Sequence, residues 1–185
     1  MALYFNVHST EFPAGEIRGQ WVASGSREEG TGGDDAIAAA ADGGILIAFG
    51  RGGDDSLTSG GLANLPDGLA NLLANLLDGG GGNDTILGGD AADRIKGGPG
   101  DDLLTGQGGR DVFIFRAAQA TGTDTVTDFG SDDVVRLAGF AADFDPLAHL
   151  AAVQGGTALD LGDGDRVVFL GRGVAEFTAA DFVFG

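Results

Sequence analysis

Four aspartates, Asp84, Asp93, Asp102 and Asp111, recur every nine residues. Two positions after each comes a large apolar side chain: Ile86, Ile95, Leu104 and Phe113. The stretches run end to end as Gly79–Leu87 (GGGGNDTIL), Gly88–Lys96 (GGDAADRIK), Gly97–Thr105 (GGPGDDLLT) and Gly106–Ile114 (GQGGRDVFI). Two separate copies precede them, Gly30–Ala38 (GTGGDDAIA) and Gly50–Thr58 (GRGGDDSLT), and place Asp35 and Asp55 in the same slot. The shared template is G-G-x-G-x-D-x-U-x, with U apolar. Glycine takes positive φ without steric cost, so the chain can turn sharply and aim carbonyl oxygens at one point. The aspartate adds a hard, charged oxygen. Carbonyls plus carboxylates are the donor set of Ca²⁺, which takes about six to eight oxygens in flexible geometry. The candidate ligand set is therefore Asp35 and Asp55, then Gly79, Gly80, Gly82 and Asp84, then Gly88 and Asp93. It continues with Gly97, Gly98, Gly100 and Asp102, and with Gly106, Gly109 and Asp111.

Such ligands need elements that stack them. The last three residues of each copy form a short strand whose apolar residue points inward. A turn plus a strand, repeated at this period, winds a parallel β-helix. The expected fold is all-β: a parallel β-roll in which two nonapeptides complete one coil and ions sit between turns stacked on the same side. Ala40–Phe49 reads as a degenerate copy with Leu46 inward and no good ligand. Leu62–Asp78 (LANLPDGLANLLANLLD) interrupts the array. Its leucines have helical spacing, Asp67 is placed to cap, and Gly79–Gly82 to terminate, so a short amphipathic helix is expected over 62–78. Met1–Glu29 carries two strand-like runs and is expected to cap the first coil, as repeat arrays require. Near the end, Ala158–Leu161 and Arg166–Leu170 flank Gly162–Asp165, a hairpin signal. The division is 1–29, an N-terminal cap; 30–114, the roll with its insertion; and 115–185, a β-rich C-terminal cap.

Composition narrows the function. The 185 residues carry a formal net charge of −18, and 23 Asp stand against 5 Glu. A merely solvated acidic surface would use both; aspartate in excess beside 36 glycines points to metal-binding turns. Nucleic-acid binding needs a basic face, and this balance argues against it. The absence of cysteine excludes disulfides and thiolate metal sites. No run approaches the roughly 20 apolar residues of a membrane helix.

The repeats resemble the RTX (repeats-in-toxin) calcium-binding β-roll. The tail resembles the segment that follows such repeats in secreted enzymes, through Asp111–Phe115, Gly122–Phe129, Gly130–Leu137, Ala158–Leu170 and Phe177–Phe184. The resemblance implies several Ca²⁺ ions and places Asp124 and Asp128 as ligands of the last one. It implies that the tail caps the roll and carries an uncleaved signal read by type I secretion machinery. Export to the extracellular space or cell surface, and folding there on calcium, follow from it. An enzyme is not expected. There is no H-E-x-x-H and no G-x-S-x-G, and His8 and His149 stand alone. The alternative to a free calcium-binding module is a self-associating matrix or surface-layer subunit. A C-terminal piece of an RTX hydrolase is a third reading, which Met1 opposes.

Overall fold

The computed structural model describes residues 25–38, 45–60, 74–117 and 122–185. From β1 to β11, successive strands fall alternately on two sheets, as a coiling chain requires. The seven-stranded sheet runs β1 (Gly25–Glu29), β3 (Ile45–Phe49), β5 (Leu76–Asp78), β7 (Arg94–Lys96), β9 (Val112–Arg116), β11 (Val134–Ala138), β15 (Phe182–Phe184). The eight-stranded sheet runs β2 (Ala36–Ala38), β4 (Ser56–Thr58), β6 (Thr85–Gly89), β8 (Leu103–Gln107), β10 (Thr123–Val126), then β14 (Asp165–Leu170), β13 (Gly156–Gly162) and β12 (Leu150–Val153). Pairing is parallel throughout the roll and antiparallel only within β12–β13–β14. This is the expected β-roll with a β-rich C-terminal cap.

The apolar position of each repeat builds the core. Across one sheet it stacks Ile37, Leu57, Ile86, Leu104, Val126 and Phe169. Across the other it stacks Ala48, Leu77, Ile95, Phe113, Val135 and Phe182. Most of these are fully buried, each worth about 1.5–3 kcal/mol over exposure. The stack widens toward the C-terminal end, where Phe129 packs on Phe113, Phe169 and Phe177. The Arg172 guanidinium lies over Phe129 and Phe177 and bonds Asp181 at 2.9 Å. The expected hairpin forms between β13 and β14, and Asp163 and Gly164 both take positive φ at its tip.

The expected helix over 62–78 is corrected at its end. Leu76–Asp78 is strand β5, paired with β3 and β7. Leu77 stacks between Ala48 and Ile95 at 0% exposure. A strand here gains ladder bonds on both sides and completes the core, which local helix propensity cannot match. Residues 62–73 of that insertion, and residues 1–24 of the N-terminal cap, lie outside the described residues.

Candidate metal centre

Between the sheets, the turns stack into two columns, and in each column the aspartates are wired to one another. In the first, the Asp35 N–H donates to Asp55 Oδ1, Asp55 to Asp84, and Asp84 to Asp102, each at 2.8 Å, and Asp102 donates to Asp124 at 3.0 Å. In the second, the Leu46 N–H donates to Asn75 Oδ1 at 2.8 Å and Asn75 to Asp93 at 3.1 Å. Asp93 then donates to Asp111 at 2.8 Å and Asp111 to Asp133 at 2.9 Å. Each carboxylate thus spends one oxygen on the N–H of the coil before it.

The other oxygen decides the chemistry. Among the described residues, Oδ2 of Asp55, Asp84, Asp93, Asp102 and Asp111 is buried with no hydrogen-bond partner. An orphaned buried polar atom costs about 1–3 kcal/mol, and more if charged. Each Oδ2 lies against the first glycine of its own repeat. A Cβ on Gly50 would strike Asp55 Oδ2 and the Gly79 carbonyl oxygen, and one on Gly88 would strike Asp93 Oδ2 and the Gly106 carbonyl oxygen. A Cβ on Gly79, Gly97 or Gly106 would strike the Oδ2 of Asp84, Asp102 or Asp111 in turn. These are oxygen-lined cradles, closed to side chains. Farther round each turn, Gly80, Gly82, Gly98, Gly100 and Gly109 take positive φ, which bends the backbone around the cradle.

Electrostatics agree. Burial, reinforced by neighbouring carboxylates, pushes Asp84 and Asp93 up to about 6, Asp102 and Asp111 to about 7 and Asp124 to about 8. Backbone N–H bonds oppose the rise without cancelling it. Carboxylates that resist charging without a counter-ion, beside carbonyl oxygens, fit a hard divalent cation. No group of three or more His, Cys, Asp or Glu side chains converges among the described residues. The fit is therefore to a centre in which each carboxylate works with backbone carbonyls.

The end rungs differ. Asp35 Oδ2 accepts from the Thr31 N–H and hydroxyl, at 2.6 and 3.0 Å, and Asp133 Oδ2 accepts from Gly130 N–H at 2.8 Å. Asp128 stands outside both columns: its two oxygens accept from Gly106 N–H at 3.0 Å and Gln107 N–H at 2.8 Å. Asp124, its partner in the expectation, is buried in the first column. Leu46 is inward as expected, but it occupies the aspartate row, and Ala48 takes the apolar row.

Sequence reasoning missed three features. Asn75 and Leu77 lie nine residues before Asp84 and Ile86, so the end of the leucine-rich segment was a repeat in phase. Asp133 completes the second column. An outer ladder also runs beside the first column: Asp34 accepts from Asp54 N–H, Asp54 from Asn83, Asn83 from Asp101, and Asp101 from Thr123, at 2.6–2.9 Å. The doubled Asp-Asp and Asn-Asp pairs were its signal.

Fold and columns together define a calcium-binding β-roll. The family model for the RTX calcium-binding nonapeptide repeat matches residues 78–113 in four copies, and these repeats indicate the binding of several Ca²⁺ ions. The CHRD domain model matches residues 2–21, outside the described residues. An endo-1,3-1,4-beta-glycanase of Rhizobium meliloti (strain 1021) is 37% identical over 70 residues, which are 37% of this chain and 15% of the glycanase. An extracellular lipase of Serratia marcescens shares the fold at TM-score 0.54 and 19% identity, over 86% of this chain and 21% of the lipase. The AlgE6R2 subunit of the Azotobacter vinelandii mannuronan C5-epimerase aligns at TM-score 0.45 and 21% identity, over 88% of this chain and 93% of that one. The chain spans under a quarter of the length of the glycanase and of the lipase.

Proposed function

We propose that this chain is a non-enzymatic export and folding module whose roll is completed by calcium outside the cell. The observation that carries it is the set of five orphaned carboxylate oxygens held in register between stacked coils. Asp55, Asp84 and Asp102 would hold ions in the first column, and Asp93 and Asp111 in the second, with the carbonyls of the first-position glycines beside them. Bound ions supply the positive charge that lets these carboxylates remain ionised while buried. Extracellular modules bind Ca²⁺ with constants of about 10⁻⁴–10⁻³ M, so the columns stay empty at cytosolic calcium. Glycine-rich turns then resist ordering and the aspartates repel. An unfolded chain threads a secretion channel, and folding at the exit opposes return. The tail's resemblance to type I signals supports this route. The lipase neighbour is described as extracellular, which agrees with it.

The test is far-ultraviolet circular dichroism of the purified chain during calcium titration at neutral pH. A cooperative coil-to-β transition at sub-millimolar to millimolar calcium is expected. Full β content in chelator would sink the reading. Export in cells expressing type I machinery, abolished by deleting 115–185, tests the secretion half separately.

A further inference from the structure

Charge is unevenly distributed on the folded roll. Of the ten basic residues in a chain of net charge −18, five lie on the outer face of the seven-stranded sheet: Arg27, Arg94, Lys96, Arg116 and Arg136. Arg94, Lys96, Arg116 and Arg136 alternate with core-facing neighbours such as Ile95, Phe115 and Val135. Among the described residues, two carboxylates share this face and both are engaged, Glu29 by Arg27 and Arg51, and Asp78 by Lys96. Arg94, Arg116 and Arg136 have no carboxylate within ion-pair distance among the described residues. Between them lie half-buried Ile47, Leu76, Val112 and Ile114. The face is cationic, flat and partly apolar.

The complementary surface is on the same molecule. Asp34, Asp54 and Asp101 form the exposed outer ladder at the turn edge of the eight-stranded sheet. Each gives one oxygen to the next coil, and none has a basic partner among the described residues. The ladder advances one coil at a time at the strand spacing of about 4.8 Å, with neutral Asn83 between Asp54 and Asp101, whereas the arginines step diagonally over their sheet: Arg94 pairs with Val112, Arg136 with Ile114 and Arg116 with Ala138. Arg94, Arg116 and Arg136 come from the three adjacent strands β7, β9 and β11. A cationic face and an exposed row of unpaired carboxylates on one molecule are complementary in charge, so one copy can present each to the other of a second copy.

We propose that the outer face of the seven-stranded sheet docks the outer aspartate ladder of a second copy of this chain. The two surfaces differ, so the contact is heterologous and does not close: copies add in an open series. This rests on the calcium-folded roll. Calcium also lowers the net negative charge that otherwise keeps copies apart.

The experiment is analytical ultracentrifugation of the full chain over a concentration series, with circular dichroism on the same samples. In calcium at low salt, the weight-average sedimentation coefficient is expected to rise steadily with concentration. In about 0.5 M salt, where the Debye length is only a few ångströms, it is expected to fall back. The variant R94E/R116E touches neither column and keeps the calcium-induced spectrum, but associates at least about tenfold more weakly because like charges then face each other. The variant D34N/D54N/D101N keeps the ladder bonds, as Asn83 already does, and loses association to a similar degree. A sedimentation coefficient independent of concentration, or a series that stops at a closed dimer, overturns the proposal. A monomer whose arginine face instead binds polygalacturonate assigns the face to an anionic glycan and also overturns it. Absence of the calcium-induced spectrum would strike at the folding reading, which this readout separates from docking.

Discussion

The two turn columns come from one template, yet they are built to different ends. The first keeps aspartate at every rung, Asp35, Asp55, Asp84, Asp102 and Asp124, and doubles it with the outer ladder. The second changes along its length: Leu46, then Asn75, then Asp93, Asp111 and Asp133. At Asn75 the amide closes the rung without a metal. Its Oδ1 accepts from Leu46, and its Nδ2 donates to Asp93 Oδ1 at 2.7 Å and to Ser59 at 3.1 Å. A neutral side chain with both donors and acceptors satisfies what a carboxylate leaves orphaned. The comparison separates the two demands on this position. The Oδ1 bond is common to both columns and sets coil register, whereas the free Oδ2 occurs only where aspartate is retained, and it is the metal-seeking group.

Chelation should produce the largest effect. At free calcium ten times its dissociation constant each site adds about 1.4 kcal/mol, so five independent sites add about 7 kcal/mol, comparable to the whole stability of a small domain. Removing calcium at neutral pH should therefore unfold the roll. Hydrogen exchange would show the rungs from Asp55 to Asp111 opening first. Protection that persists there, with loss only at the ends, would break the assignment of ions to the interior rungs.

Single substitutions come next. Asp102→Ala removes one ion and leaves the Asp84 N–H unpaired, a loss of about 3 kcal/mol in saturating calcium. Asn75→Asp does the reverse and gives the second column the missing Oδ2. It should lower stability in chelator and raise the calorimetric calcium count by one. A count that does not change would mean that the Asn75 amide is not what keeps a metal out of this rung.

The legible and illegible parts of the fold separate along the same line. In-phase Asp84, Asp93, Asp102 and Asp111 with their apolar partners were enough to predict the roll, because the nine-residue period encodes both turn and core. Asn75 and Leu77 kept that phase, but Leu69, Leu72, Leu73 and Leu76 also fit a helical stripe, and local spacing cannot tell a buried strand from a helix end. The register of Leu46 was hidden for a related reason: which of two inward residues faces the aspartate row depends on the partner strand. The resemblance pointed to Asp128 as a ligand, and its bonds to the Gly106 and Gln107 N–H groups were not legible because only the fold sets where those groups lie.

Acid should partly replace the metal. Asp84, Asp93, Asp102, Asp111 and Asp124 have folded values raised to about 6 to 8, above the unfolded value of about 3.9. Between these limits the folded state holds more protons than the unfolded one, so metal-free stability falls as pH rises. Chelated protein should thus be most folded near pH 4 and lose structure through pH 6 to 8. The calcium concentration needed for folding is set by proton competition as well, since a bound ion must displace the proton. A chelated chain that gains structure with rising pH would contradict the burial of these carboxylates.

The smallest effect sharpens the comparison at the second template position, where glycine is expected. Gln107, in the second column, takes φ 68° there, and Arg51, in the first, takes φ 81°. A left-handed backbone costs a non-glycine residue roughly 1–2 kcal/mol. Gln107→Gly removes that strain, offset in part by the greater entropy of glycine in the unfolded chain, for a net gain of a few tenths to about 1 kcal/mol. Arg51→Gly relieves the same strain but removes the ion pair with Glu29, an exposed contact worth about 0–1 kcal/mol, so its gain should be smaller. Paired denaturant titrations in saturating calcium give both numbers. Equal gains would show that the Arg51–Glu29 pair contributes nothing, and a loss at Gln107 would show that its side chain makes a compensating contact at the turn.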